Sequence, residues 1–356
     1  MTLSLNQPQS SSPSPQLSPS DITADDLKLK HILRTLPREL FLKNSRKAWT
    51  HVLISVVSVA LGYVAIAFAP WYLLPLAWIF TGTALTGFFV IGHDCGHRSF
   101  SNNKRLNDFV GHLAFLPLIY PFHGWRIGHN YHHKHTNKID FDNAWQPWKQ
   151  EVYKDLDFTL KTVYHAIRGK LWWTGSIFHW ALVNFDWNRC TGKAREQMRF
   201  STLFVVIGGG IGLTALTLAT GWWGLVSFWL MPWLVYHFWM STFTVVHHTA
   251  SNIPFHPAAE WNEAISQLAG TVHCDYPRWV EFLCHDINVH VPHHISTAIP
   301  SYNLRDAHSI IKENWGKYVK ESKFNWELIK DITEECHLYD PEDFYMSFDT
   351  FKAANK

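Results

Sequence analysis

Gly128-His129-Asn130-Tyr131-His132-His133-Lys134-His135-Thr136 sets three imidazoles, His129, His132 and His133, at i, i+3 and i+4, which is one face of a helix. A face of imidazoles can hold a metal. The same His-x-x-His-His spacing returns at His290-Val291-Pro292-His293-His294, and a shorter version stands at His93-Asp94-Cys95-Gly96-His97. With 23 histidines in 356 residues, random placement gives roughly 0.1 His-x-x-His-His matches per chain. Two matches therefore mark chemistry rather than composition. Pro292 inside the third cluster suits a helix that begins near Val291, because the first turn has no backbone donor to lose.

The residues around these clusters point to a membrane. Charged side chains make up 17% of the chain and aromatic ones 15%, against about 25% charged in a typical soluble domain, and aromatic belts are a membrane feature. The net charge of +2 lacks the basic excess of a phosphate binder and argues against nucleic acid as a partner. Cys95, Cys190, Cys274, Cys284 and Cys336 are odd in number and never spaced Cys-x-x-Cys, so neither a disulfide framework nor a thiolate zinc site is expected.

Hydropathy then divides the chain. Residues 1–24 are rich in Ser, Pro and Gln and predict a disordered tail without a secretory signal. Residues 25–47 alternate Leu29, Leu33, Leu36 and Leu40 with charged residues and predict an interfacial amphipathic helix broken near Pro37. No charge occurs between Lys47 and Asp94, so 48–92 predicts a transmembrane hairpin turning at Ala69-Pro70-Trp71. The uncharged stretch Phe200–Ala259 predicts a second, over 200–248, turning at Thr220-Gly221-Trp222-Trp223. Between the hairpins, 93–199 predicts cytoplasmic and interfacial structure, with a re-entrant Phe109–Phe122 and an amphipathic helix near 156–171; 249–356 predicts a cytoplasmic cap, helical around 303–320 and 324–337. The fold class expected is an all-α integral membrane protein of four transmembrane helices in two hairpins. Arg and Lys flank the outer ends of each pair, so both termini and all three clusters are expected on the cytoplasmic side.

That topology brings eight histidines into one layer: His93, His97, His129, His132, His133, His290, His293 and His294. Eight imidazoles exceed the needs of one ion, so two metals are implied. Imidazole suits Zn, Cu, Fe or Ni, which leaves the metal open; a pair of redox-active irons would explain so large a set. Asp94, Asp140, Asp142, Asp275 and Asp286 are candidates to fix ring orientation through the outer nitrogens. His51, His112, His165, His179 and His237 are expected to be packing or interfacial residues.

Taken with the run Cys284-His285-Asp286-Ile287-Asn288-Val289 before the third cluster, Ser301-Tyr302-Asn303-Leu304-Arg305 and Glu313-Asn314-Trp315-Gly316-Lys317-Tyr318, the three clusters resemble the histidine boxes of the membrane-bound fatty acid desaturases. The likeness is greatest to the cyanobacterial and plastid acyl-lipid Δ12 (ω-6) group, and it covers roughly residues 35–345. The resemblance implies four membrane helices, a centre of two iron ions held by the box histidines, and O2-dependent conversion of oleoyl to linoleoyl chains on membrane glycerolipids. It further implies a ligand from the end of the fourth helix. There His248 is preferred over His247, because Thr249 keeps a family-like His-Thr pair; His285 is a third candidate.

An apolar tunnel must select the reacting carbons, and Phe88, Phe89, Trp229 and Trp239 are candidates to line it. The resemblance points to ferredoxin as electron donor, with Arg189, Lys193, Arg195 and Arg199 as a dock that would equally suit anionic lipid. It also points to the plasma or thylakoid membrane of a photosynthetic prokaryote. Competing readings are a desaturase of ω-3 or Δ9 selectivity, a hydroxylase with the same centre, and a membrane metal-binding or transport protein. The uncharged spans speak against transport.

Overall fold

The structure, a computed structural model, describes residues 23, 24 and 26–355. The expected disordered tail lies, but for Thr23 and Ala24, outside the described residues.

Helix α1 (Leu29–Thr35) stops before Pro37, and a 3-10 turn over Arg38–Phe41 follows. Ile32, Leu36 and Leu40 are buried in one apolar cluster with Leu268, Val291, Ile311 and Trp315. The face expected to lie on a membrane surface therefore covers the C-terminal cap instead.

Helix α2 (Ser45–Phe68) is capped by the Asn44 side chain, which accepts from the Lys47 amide at 3.2 Å. Its 24 residues extend about 36 Å, enough to cross a bilayer. Only 22% of its apolar window is buried, and Leu53, Val56, Val57, Leu61 and Val64 point outward. After a turn at Ala69 and Pro70 the chain returns as α3 (Leu74–Gly96), whose apolar window is 67% buried. It is the central helix. Gly82 allows its close approach to the later helix that carries Pro232 and Val235: an added Cβ would lie 2.4 Å from Val235 Cβ and 2.5 Å from the Pro232 carbonyl oxygen.

Helix α4 (Lys104–Phe115) ends in a 3-10 turn, Leu116–Leu118, and a left-handed Ile119 before α5 (Phe122–His135). The stretch 109–122, expected to be re-entrant, holds the later turns of α4 and this break. Its carbonyls are satisfied by indoles, Trp180 Nε1 donating to Ile119 at 2.7 Å and Trp233 Nε1 to Leu118 at 3.0 Å. Strand β1 (Trp148–Lys149) and helices α6 (Gln150–Asp155), α7 (Phe158–Arg168) and α8 (Gly175–Val183) lead onward. Along α7, Phe158, Leu160 and Val163 are exposed, as an amphipathic helix on an apolar surface requires.

The chain from Gly192 to His248 forms a third stretch apolar enough to cross a membrane. It comprises α9 (Gly192–Leu225), a π-helical turn (Val226–Leu230) and α10 (Met231–His248). The structure thus has three such stretches among the described residues where four separate spans are expected from hydropathy. Within the third, Gly221 has φ 73° and ψ −177°, which is not helical, so the helix is interrupted there.

The remainder is the cap: α11 (Glu263–Ala269), β2 (Val272–Asp275), α12 (Arg278–Leu283), α13 (His290–Ile295), α14 (Leu304–Trp315), β3 (Lys320–Lys323), α15 (Trp326–Glu335), β4 (Leu338–Asp340), β5 (Phe344–Met346) and α16 (Phe348–Ala354). Strands β2 and β3 pair in parallel; β4 pairs in parallel with β1 and antiparallel with β5. The second sheet ties the chain's end to the segment that follows α5.

Candidate metal centre

Each cluster comes from the end of a helix. His93 is in the last turn of α3 with His97 at its C-cap, His129, His132 and His133 are in the last turns of α5, and the third cluster is α13 itself. Pro292 is the third residue of α13, within its first turn, where a missing amide costs nothing. His248 is the final residue of α10.

These ends converge. His93, His97, His129, His133 and His293 form one group and His132, His248 and His294 a second, with the ligand nitrogens of each group within 4.8 Å of one another. His290 joins the second group, its Nε2 lying 2.8 Å from His248 Nε2 and 3.0 Å from His294 Nε2. In the first, His93 Nε2 lies 3.1 Å from His293 Nε2 and His129 Nε2 3.1 Å from His133 Nε2. Nitrogens bound to one ion at about 2.0–2.1 Å are at most about 4 Å apart, so both groups have nearly the spacing a shared ion imposes.

The donor set also fits a metal chemically. His97 Nε2 and His132 Nε2 are buried without a hydrogen-bond partner, a cost that a bound cation removes. Burial, reinforced by neighbouring imidazoles, holds His129, His133, His290, His293 and His294 well below the usual histidine range. These rings are neutral at pH 7 and ready to ligate without first losing a proton.

Of the five candidate carboxylates, Asp142 reaches the centre directly. Its Oδ1 accepts from His132 Nδ1 at 2.6 Å, while Oδ2 accepts from the Asn137 amide at 2.7 Å. Asp94 Oδ1 lies 3.6 Å from His93 Nδ1, and its Oδ2 accepts from the Ser301 amide. Asp140 pairs with Lys149, Asp286 with Arg305 and Asp275 with His273, so these three serve elsewhere.

Gln267 does what the carboxylates were expected to do. It is buried; its Oε1 accepts from His294 Nδ1 at 2.8 Å, and its amide donates to the His133 carbonyl. It therefore bridges the second and third boxes, and no motif singles it out.

The remaining histidines separate by place. His285 is turned away, with Nε2 2.7 Å from Ser55 Oγ and its ring stacked 4.1 Å from His51. His247 stacks on Phe243, 5.6 Å between centroids, outside both groups. Among the three candidates for a further ligand, only His248 lies within a group. His112 bonds Ser201, His237 bonds Ser176 and His165 stacks on Phe348, as packing residues do.

A cavity of about 150 Å³ opens onto the histidines. His93, His129, His132, His248 and His290 form part of its lining, and Phe89, Val90, Tyr120, Met240, Phe243 and Ile287 supply apolar wall. Of the tunnel candidates Phe89 takes part, while Phe88, Trp229 and Trp239 do not; Trp239 Nε1 donates to Thr83 Oγ1 instead. His179, expected to be packing only, also lines the cavity.

Membrane-length apolar helices, a buried polyhistidine centre able to hold metal ions and an apolar cavity reaching its nitrogens describe a membrane-type protein with a metal site open to an apolar ligand. Comparison with known proteins narrows that class. Residues 69–324 match the model of the fatty acid desaturase family. The chain is 62% identical over 323 residues to the sn-1 oleoyl-lipid 12-desaturase of a Picosynechococcus species, covering 91% of this chain and 93% of that protein. It is 57% identical over 340 residues to the protein of the same name from a Synechocystis species, covering 95% and 97%. Against the chloroplastic omega-6 fatty acid desaturase of Brassica napus the identity is 54% over 328 residues, covering 91% and 73%. The chain belongs to the fatty acid desaturase family and is an oxidoreductase.

Proposed function

We propose that the protein is an acyl-lipid desaturase that forms the Δ12 (ω-6) double bond of oleoyl chains in membrane glycerolipids, giving linoleoyl chains. The observation that carries this reading is the meeting of all three boxes and His248 at the wall of an apolar cavity. The names of the similar proteins support oleoyl lipid as the substrate.

In this reading His93, His97, His129, His133 and His293 hold one iron, and His132, His290, His294 and His248 hold the other. When bound, the pair would supply the redox chemistry that lets O2 accept two hydrogens from neighbouring methylenes together with two external electrons and two protons, leaving a double bond and two waters. The chain's own residues do the positioning. Phe89, Val90, Met240 and Phe243 offer a wall without hydrogen-bonding groups on which a methylene chain is held by shape. Asp142 and Gln267 fix the rings of His132 and His294, so the remaining nitrogen of each faces the centre. Burial of the histidines keeps water from competing with the acyl chain.

The same reading places 48–92 and 200–248 as two transmembrane hairpins and 249–356 as a cytoplasmic cap, in the plasma or thylakoid membrane. A continuous helix from Gly192 to His248, 57 residues, would be about 85 Å long, nearly three bilayer cores, so in this reading the chain reverses at the non-helical Gly221 and makes four spans. Arg189, Lys193, Arg195 and Arg199 stand exposed before the third span and form the dock for ferredoxin, an acidic electron donor.

Expression in cells whose lipids carry oleoyl but no linoleoyl chains tests the proposal. Linoleoyl lipid is the expected product; a hydroxy acid or an ω-3 product refutes the Δ12 assignment. His132→Ala is expected to abolish product and lower bound iron.

A further inference from the structure

A second cluster of metal-ligating side chains lies in the cap, outside the nine histidines. In the parallel pair β2–β3, His273 is directly opposite Glu321. Side chains alternate across a strand, so His273 and Asp275 share one face of β2 while Cys274 points to the other and is buried in the core. The His273 face is covered by α14, whose buried residues Leu304, Ala307, His308, Ile311 and Trp315 follow helical periodicity. His308 thus occupies a position that an amphipathic helix normally gives to an apolar residue.

Ligand atoms of His273, His308 and Glu321 all lie within 4.8 Å of one another, and the two rings are 4.2 Å apart. His308 Nε2 is 2.9 Å from Glu321 Oε1, and His273 Nε2 is 3.2 Å from Asp275 Oδ1. Both histidines are over nine-tenths buried, and the Nδ1 of each has no hydrogen-bond partner. Lys312 Nζ donates to Glu321 Oε2 at 2.6 Å, leaving Oε1 to face the rings. Glu321 and Asp275 are partly exposed, which gives an ion a path from solvent.

From these contacts we propose that His273, His308 and Glu321 form a binding site for a divalent transition metal with the donor preference of Zn2+. Two imidazoles and one carboxylate match the protein ligands of a zinc site that keeps its fourth position open to water, with Asp275 Oδ1 beside His273. Lys312 on the far carboxylate oxygen orients Glu321, as outer partners do in such sites. Three cap elements supply the ligands, β2, β3 and α14, and α14 packs on α13, which carries the third histidine box. An ion here is a clip on the scaffold of the centre and is chemically separate from it.

The test uses full-length protein purified in detergent with its iron retained, incubated with ZnCl2, desalted, and analysed for zinc and iron together. Wild type is expected to keep one more zinc per chain than His308→Ala and than the milder, exposed-site variant Glu321→Gln, with iron equal in all three. In zinc titrations each variant, having lost a direct ligand, is expected to bind more weakly by at least the roughly 10–100-fold that loss of an outer partner causes. Equal zinc in wild type and Glu321→Gln, or no retained zinc in wild type, overturns the site. Iron content in the same samples separates this result from any failure of the nine-histidine centre.

Discussion

His132 Nδ1 donates to Asp142 Oδ1 across 2.6 Å, and both side chains are buried. Because the carboxylate can only accept, the proton sits on Nδ1 and the unpartnered Nε2 presents a lone pair to the metal centre. Asp142→Asn keeps the shape but removes the charge that fixes this tautomer. Iron affinity is expected to fall about 10–100-fold, measured as iron per chain after dialysis against a chelator, with linoleoyl yield falling in parallel. Full iron retention after that dialysis would show that Asp142 does not orient the ring.

Gln267 joins two boxes that are far apart in sequence, through the His133 carbonyl and His294 Nδ1. Gln267→Leu preserves bulk while leaving both groups buried and one partner short, a loss of about 1–3 kcal/mol each. Thermal unfolding in detergent should shift to lower temperature and iron content should drop. Gln267→Glu, which keeps an acceptor for His294 but loses the amide donor, is expected to fall between wild type and Gln267→Leu.

The contrast between these residues shows what local sequence carries. Ligand spacing within a box is set by the helical repeat, so His129, His132 and His133 are legible as one face, and His248 is legible from its place at the end of an apolar run. Asp142 was one of five equivalent carboxylates, and only the turn after α5, which aims the Asn137 amide at its Oδ2, distinguishes it. Gln267 has no local signal, because its partners lie 134 and 27 residues away. The same limit applies to α1. An apolar face of Ile32, Leu36 and Leu40 reads identically whether lipid or protein covers it, and the covering residues, Val291 and Ile311 among them, come from the far end of the chain.

Acid sensitivity should centre on the cap as well as on the metal. His337 is pushed down to about 4, chiefly by burial. Its Nδ1 accepts from the Phe348 amide at 3.1 Å, Nε2 donates to the Thr333 carbonyl at 2.9 Å, and its ring stacks on Phe348. The folded pKa lies below the unfolded value, so above about 6.5 both states are neutral and His337 adds no pH dependence. Between about 6.5 and 4 the unfolded chain takes up a proton that the folded chain refuses, and stability falls with decreasing pH by up to about 1.4 kcal/mol per unit. His337→Gln can keep both hydrogen bonds and does not titrate. Its melting temperature should decline less steeply than wild type between pH 6.5 and 4; identical slopes would rule the group out.

At Gly221 the effect of conformation can be separated from that of surroundings. At φ 73° and ψ −177° the backbone is in a region that side chains bearing a Cβ avoid, at a cost of about 1–3 kcal/mol. An added Cβ there would meet no atom within 4 Å, so Gly221→Ala isolates backbone strain from crowding. Gly210 is the matched control: it lies within α9, carries no positive φ, and its added Cβ likewise meets nothing. Gly210→Ala is expected to leave stability unchanged or raise it by up to about 1 kcal/mol through helix propensity, while Gly221→Ala lowers it, both read from thermal unfolding in detergent. Equal behaviour of the two variants would mean that the helix runs through Gly221 without a break, and would remove the reversal on which a fourth span depends.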